Sequence, residues 1–190
     1  RRGKSNFFGF LSYSYLDVII PGKYGATLGI IKDADKTWEL EYLHGSISVP
    51  FIVEDLGKMT DDRISLIGRS YSGTNSFNIS YGLTYFDFSI HIGDKFLNRA
   101  GGVYPYMDII DIQSVGFNLG FGNRWTFDHN ITFGIDWISW SQPVFITKKE
   151  SAFVSNTSNQ ADRDVVDNSI RLISYIPRLA FLKLQLGILF

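Results

Sequence analysis

Leu182-Lys183-Leu184-Gln185-Leu186-Gly187-Ile188-Leu189-Phe190 is the stretch that decides how this chain is read. Side chains along a strand alternate between two faces, so Leu182, Leu184, Leu186, Ile188 and Phe190 fall on one side. Lys183, Gln185 and Gly187 fall on the other, and only Leu189 breaks the rule. Such a strand is apolar on one face and polar on the opposite one.

The same alternation recurs seven times upstream. Strand one, about 6–17, sets Leu11, Tyr13 and Tyr15 against Ser12 and Ser14. Strand two, about 24–32, sets Tyr24, Ala26, Leu28 and Ile30 against Gly25, Thr27 and Gly29. Strand three, about 37–48, sets Trp38, Leu40 and Tyr42 against Glu39 and Glu41, and strand four, about 63–72, sets Ile64 and Leu66 against Arg63, Ser65 and Arg69. Strand five starts at Phe77 with Ile79, Tyr81, Leu83 and Tyr85 on one face. Its phase then slips to Phe86, Phe88 and Ile90, which predicts a bulge near Tyr85-Phe86. Val115, Phe117, Leu119 and Phe121 mark strand six, and Ile131, Phe133, Ile135 and Trp137 mark strand seven.

The connections alternate in length. Those at 33–36, 73–75 and roughly 124–129 are short, whereas 49–62, 93–110 and 142–165 are long; the remaining one, 17–23, is brief and contains Pro21-Gly22. From Asp162 to Tyr175, Val165, Val166, Ser169, Ile170 and Ile173 recur at helical spacing, and Pro177 ends the run. A short amphipathic helix is expected in the last long connection, lying on a rim or at headgroup level. The apolar residues Val49–Val53, Tyr104–Tyr106 and Pro143–Ile146 are expected to pack together as a cap.

Composition narrows the classes. The chain has 190 residues, enough for one domain spanning 1–190, and a mean hydropathy of +0.02. A membrane-spanning helix needs about 20 consecutive apolar residues, and no such run exists. A spanning strand needs only roughly 9–11 alternating residues, so a barrel fits average hydropathy. The aromatic share of 16% suits girdles at two interfaces. Zero cysteines exclude disulfides and thiolate metal sites. A net charge of −1 gives no footprint for nucleic acid. The chain begins at Arg1 rather than Met, so a mature form whose export signal has been removed is expected.

Together the pattern resembles the small eight-stranded outer-membrane β-barrels of the OmpA, OmpX and OmpW types. The resemblance implies an all-β, antiparallel, up-and-down transmembrane barrel in the bacterial outer membrane, with short periplasmic turns, both termini periplasmic and the long loops outside. It also implies that Leu182, Leu184, Leu186, Ile188 and Phe190 serve as an assembly signal for the barrel-insertion machinery. Outer-membrane lipid and lipopolysaccharide would then be the surroundings, with an extracellular partner for the loops.

A charge on the lipid face at the midplane costs roughly 2–4 kcal/mol, so the polar set faces inward. That gathers Glu39, Glu41, Arg63, Arg69, Asp136 and Lys183 in a lumen only wide enough for side chains. Neighbouring strands let the glutamates meet the arginines and Asp136 meet Lys183. A plug of ion pairs is expected; the alternative is a gate or proton path. The small inward residues relieve crowding or leave a pocket, as in a narrow transporter of the OmpW kind.

His44-Gly45-Ser46 places a histidine and a serine two apart on one face of strand three, continuing the lipid-facing set. This is similar to the His-x-Ser arrangement of outer-membrane lipid A deacylases. A serine nucleophile needs a base and a third group orienting it. No third group is evident: Glu54 and Asp55 lie in the next loop, and Glu39 and Glu41 point inward. His91 and His129 complete no metal set, and Asp61, Asp62, Asp108, Asp111, Lys148 and Lys149 read as solvated loop charge. No cofactor is expected. The function expected is a non-enzymatic envelope or surface-interaction barrel, ahead of the transporter and the lipid hydrolase.

Overall fold

The computed structural model describes residues 6–48, 58–72, 76–92, 107–151, 168 and 170–190. Eight strands pair in chain order: β1 Phe7–Asp17, β2 Lys23–Asp33, β3 Lys36–Ser48, β4 Lys58–Tyr71, β5 Phe77–Ile92, β6 Met107–Thr126, β7 Ile131–Ser151 and β8 Arg178–Leu189. β8 returns to β1, closing an antiparallel up-and-down barrel. Phe10 faces Gly187 and Tyr13 faces Leu184 across that seam. Closure leaves no unpaired sheet edge.

Local chemistry makes the tight turns. Asp33 Oδ1 accepts the Asp35 N–H at 2.9 Å, an Asx turn that reverses the chain between β2 and β3. Gly22 takes φ +75° after Pro21, the left-handed position that a Pro-Gly turn requires. A single 3₁₀ turn, Asp128–Asn130, joins β6 to β7. Asn6 and Phe190 share one end of the barrel with the turns at 34–35 and 127–130, called here the turn end.

The two faces differ sharply. Leu28, Leu40, Leu66, Leu83, Leu119 and Leu186 are exposed on the outside, together with Tyr24, Trp38, Tyr42 and Tyr81. Ser12, Thr27, Glu39, Glu41, Arg69, Thr84, Asn118, Asp136 and Gln185 are buried inside. Phe77 to Tyr85 on β5 gives roughly 27 Å of outward apolar residues along the strand, or about 21 Å along the barrel axis at the usual tilt of about 40°. Above it, Asp62, Asp87 and Gln113 meet outward-facing rungs of neighbouring strands and end the belt. Within it, Trp38 and Tyr81 pack edge to face over Gly68.

Several expectations are corrected. Strand five has no bulge near Tyr85-Phe86: Tyr85 faces Ile64 and Phe86 faces Arg63 in unbroken register. The phase slip arises because Phe86 and Phe88 are apolar residues on the inner face, fully buried at the long-connection end. The ladder irregularity on this strand lies between Ile90 and His91. The strands also reach further into the long connections than expected: β4 begins at Lys58, β6 begins at Met107 and β7 runs to Ser151. Val144 and Phe145 are therefore exposed strand residues rather than part of a cap; 49–53 and 104–106 lie outside the described residues.

An irregularity the alternation hides runs across three strands. Tyr15-Leu16, Trp137-Ile138 and Phe181-Leu182 are adjacent outward pairs on β1, β7 and β8, all exposed. β7 shifts register against β6 between Phe121 and Gly122, and Leu182 sits at φ +56°. Inward residues thus have opposite parity above and below this line, as with Ser14 and Asp17 or Ala180 and Lys183.

Residues 170–174 are helical as expected, and of the two expected positions the helix takes the rim. Ile170 is buried with Phe88 and Ile112, and Ile173, Ile19, Met59, Ile90 and Ile110 pack around them. The helix fills the barrel mouth because β4, β5 and β6 present apolar side chains inward there. Pro177 then hands the chain to β8. Asp162 to Asp167 lie outside the described residues.

The interior is tight enough that some positions admit no side chain. A Cβ on Gly82 would stand 2.0 Å from the Leu66 carbonyl oxygen. Gly82→Ala should therefore destabilise by about 1–3 kcal/mol through forced backbone shifts, read as a lower urea midpoint with an unchanged slope.

Candidate functional sites inside and outside the barrel

The lower interior, nearer the turn end, holds three cations and three carboxylates. Arg69 donates from Nε to Glu39 at 3.1 Å, and its fork meets Asp136 at 2.7 and 3.2 Å. It also donates to Asn78 at 2.5 Å. Arg124 binds Glu39 through both terminal nitrogens at 2.6 and 2.9 Å, and donates to Gln185 at 2.9 Å. Its guanidinium lies 4.5 Å from the Phe10 ring centroid. Lys183 closes the set with contacts of 2.7 Å to Glu41 and 3.1 Å to Asp136. Each carboxylate has charged donors, which buried ions require.

A second cluster sits above it, toward the long-connection end. Arg63 meets Asp61 at 2.7 Å and Asp17 at 3.0 Å. Lys23 binds Asp61 and stands 3.2 Å from Asp17. Arg178 lies over the rings of Phe86 and Phe88 at 5.8 and 5.6 Å, and donates to the Ile176 carbonyl at 2.9 Å. Between the clusters, a space of about 20 Å³ is lined by Glu41, Arg63, Asn118 and Lys183, room for about one water. Another, of about 10 Å³, lies at the turn end beside Phe8, Phe10 and Arg124.

All six lumen residues named from the sequence are inside, but they do not form one set. Glu39 meets Arg69, and Asp136 meets Lys183. Glu41 turns to Lys183 rather than Arg63, and Arg63 belongs to the upper cluster. Arg124, Asp17, Lys23, Asp61 and Arg178 were not found from the sequence: Lys23, Asp61 and Arg124 fall in stretches read as connections, Asp17 stands where strand one was taken to end, and Arg178 lies between the expected helix and the last strand. Asp61 in particular is fully buried rather than solvated loop charge. The continuing alternation Asp61, Arg63, Ser65, Ile67 was the available signal. Of the nine C-terminal residues, Leu182, Leu184, Leu186, Ile188 and Phe190 all face outward, whereas Leu189 packs inside on Phe8 and Phe10.

Outside the barrel the structure adds a group that the sequence reading lacked. His44 and Asp62 are ladder partners on β3 and β4, and His44 Nδ1 stands 2.8 Å from Asp62 Oδ1. Tyr42 donates its hydroxyl to the same oxygen at 2.6 Å, and Tyr24 packs edge to face on the imidazole at 5.3 Å. Ser46 lies two residues beyond His44 on the same face, opposite Thr60. Asp111 pairs with Lys148 at 2.7 Å, and His129 lies in the turn before β7. Among the described residues no group of three His, Cys, Asp or Glu could hold a metal ion.

These features define a closed eight-stranded antiparallel barrel with an apolar exterior and an ion-paired interior. The N-terminal β-barrel domain of Pseudomonas aeruginosa OprF has the same fold: 13% identity and a TM-score of 0.52, over 96% of this chain and 98% of that one. The Neisserial surface protein A, NspA, aligns over 97% of this chain and 95% of its own, at 9% identity and a TM-score of 0.47. No protein-family model matches the chain, and no curated protein matches it in sequence.

Proposed function

We propose that the protein is an integral β-barrel of the bacterial outer membrane, with its turn end in the periplasm and its long connections outside. Its lumen is closed to ions by the two charge clusters, and it acts as an envelope structural or surface-interaction protein through its outer end. The carrying observation is the inversion of polarity: leucines and aromatics exposed outside, paired ions buried inside. In water that exterior would be an aggregation hazard far beyond the apolar patch of a few hundred Å² that a soluble monomer tolerates. In lipid it is the favourable arrangement, with Tyr24 and Tyr42 toward one interface and Trp38, Phe77 and Phe190 toward the other. The transporter alternative is disfavoured by the charge clusters that fill the lumen; among the described residues, the spaces beside them at the turn end and between them are of about 10 and 20 Å³.

Refolded protein in vesicles carrying brominated acyl chains should lose tryptophan fluorescence through Trp137 and Trp140, which face outward. The same protein in a planar bilayer should show no steady conductance. Unquenched tryptophan would remove the membrane reading; a steady conductance would remove the closed lumen.

A further inference from the structure

We propose that the barrel interior binds one halide ion, chloride or bromide, in the space between the two charge clusters, on Arg63, Ser139 and Ser141. The buried charges do not balance. In the lower cluster Arg69, Arg124 and Lys183 meet three carboxylates. In the upper one Lys23, Arg63 and Arg178 face only Asp17 and Asp61, and all five are buried. Among the described residues the interior therefore holds one more positive charge than negative. An uncompensated ion buried away from water is strongly unfavourable, so the surplus calls for a counter-ion.

Unpartnered donors mark the place. The space of about 20 Å³ is bordered by Arg63 from β4, Asn118 from β6, Ser139 and Ser141 from β7 and Lys183 from β8. Arg63 is 4% exposed, and its Nε and Nη2 are taken by Asp61 and Asp17. Its Nη1 donates to none of the described residues, and among them the Ser139 and Ser141 hydroxyls have no partner either. Ser65 adds a third hydroxyl at the same space. Thr84 accepts from Asn118 at 2.7 Å and, by donating to Ser65 at 2.9 Å, frees the Ser65 hydrogen.

These donors and the surplus charge select an anion. Glu41 also borders the space, but both of its oxygens are held by Lys183, at 3.1 and 2.7 Å. A water molecule would accept from the guanidinium and the hydroxyls yet leave the positive charge uncompensated. Size sets the class of anion. A space of about 20 Å³ exceeds the roughly 10–15 Å³ that one water needs, which suits a single-atom anion and excludes carboxylates, phosphate and sulfate. Ion pairs stand above and below it, so the halide is enclosed as the barrel closes and is not conducted.

The test refolds the full chain in detergent micelles and titrates it with urea while sodium chloride or bromide replaces sodium gluconate at constant ionic strength. A ligand that binds only the folded state raises the folding constant in step with its concentration. Past half-saturation, each tenfold rise in halide should therefore raise that constant by up to tenfold. Ser141→Ala should move the half-effect concentration up by roughly tenfold or more, the usual loss for a hydrogen bond to a charged group. Arg63→Met removes both the donor and the surplus charge and should abolish the halide dependence; Ser141→Ala decides the matter if that variant does not fold. Ser12→Ala, buried but not at the space, should keep the wild-type dependence. Crystals grown in bromide should show an anomalous peak between Arg63 and Ser141. Equal urea midpoints in halide and gluconate overturn the proposal, as does a dependence that Ser141→Ala leaves unchanged, or a water at that position without anomalous signal. None of these outcomes bears on the membrane reading, which tryptophan quenching tests separately.

Discussion

Replacing Arg69 with methionine should lower the unfolding free energy by about 3–5 kcal/mol, the usual penalty for removing one partner from a buried ionic set. Arg69 is 1% exposed and ties together Glu39, Asp136 and Asn78 from three other strands. Methionine keeps an unbranched apolar stem and removes the guanidinium with its charge. Glu39 then retains Arg124, and Asp136 retains only Lys183, leaving the lower cluster one negative charge in excess. Urea titration of refolded protein measures the loss. Pairing Arg69→Met with Asp136→Asn removes the excess and should return part of it, a coupling that only groups in one network show. A single-variant loss below about 1 kcal/mol would mean that water reaches this site and solvates the carboxylates.

Leu119→Arg should destabilise the inserted barrel by about 2–4 kcal/mol, because the new charge lies at the middle of the apolar belt. Leu119 is exposed on the outside, beside Tyr81 on β5 and Trp140 on β7. Gln113→Arg, six residues along the same strand face, should cost no more than about 1 kcal/mol. It stands beside Asp87 and Asp111, beyond the belt. Vesicle refolding free energies of the two variants give a depth profile. Equal tolerance at both positions would contradict a lipid-facing exterior. Asn118→Arg, on the lumen face, should act mainly through crowding. Asn118 donates to Thr84 at 2.7 Å and borders the 20 Å³ space, so that variant would crowd a packed interior and add an unpaired cation.

Strand number, pairing order and the direction of most side chains were legible because period-two alternation survives along nearly every strand. The eight strands followed from it, the closed barrel from the resemblance that the pattern and the C-terminal strand carry, and the pairing order bears both out. What alternation hides is its own interruption. The outward pairs Tyr15-Leu16, Trp137-Ile138 and Phe181-Leu182 change parity where both residues are apolar, so the sequence shows only a longer greasy run. The lower ionic cluster was partly legible, since charges in mid-strand must face inward. The upper one was not: Asp17, Lys23 and Asp61 look like ordinary connection charges until the strands are known to extend past the belt. Asp62 was invisible as a partner of His44 for the same reason. Its register with β3 depends on how far β4 reaches toward the long connections.

The ionic pairs also join the beginning of the chain to its end. Glu41 and Lys183 are 142 residues apart in sequence, and Arg69 and Asp136 are 67 apart. No hairpin or half-sheet can satisfy them, because the counter-charges of β3 and β4 arrive with β7 and β8. A partly assembled sheet entering hydrocarbon would carry naked carboxylates and guanidinium groups, each costing several kcal/mol. On the membrane reading proposed above, the cluster would act as a checkpoint on the order of events, the eighth strand docking on the first before, or together with, entry into the bilayer. On the membrane reading, strand-by-strand insertion would expose those charges, so long-range closure is expected to set the rate of assembly.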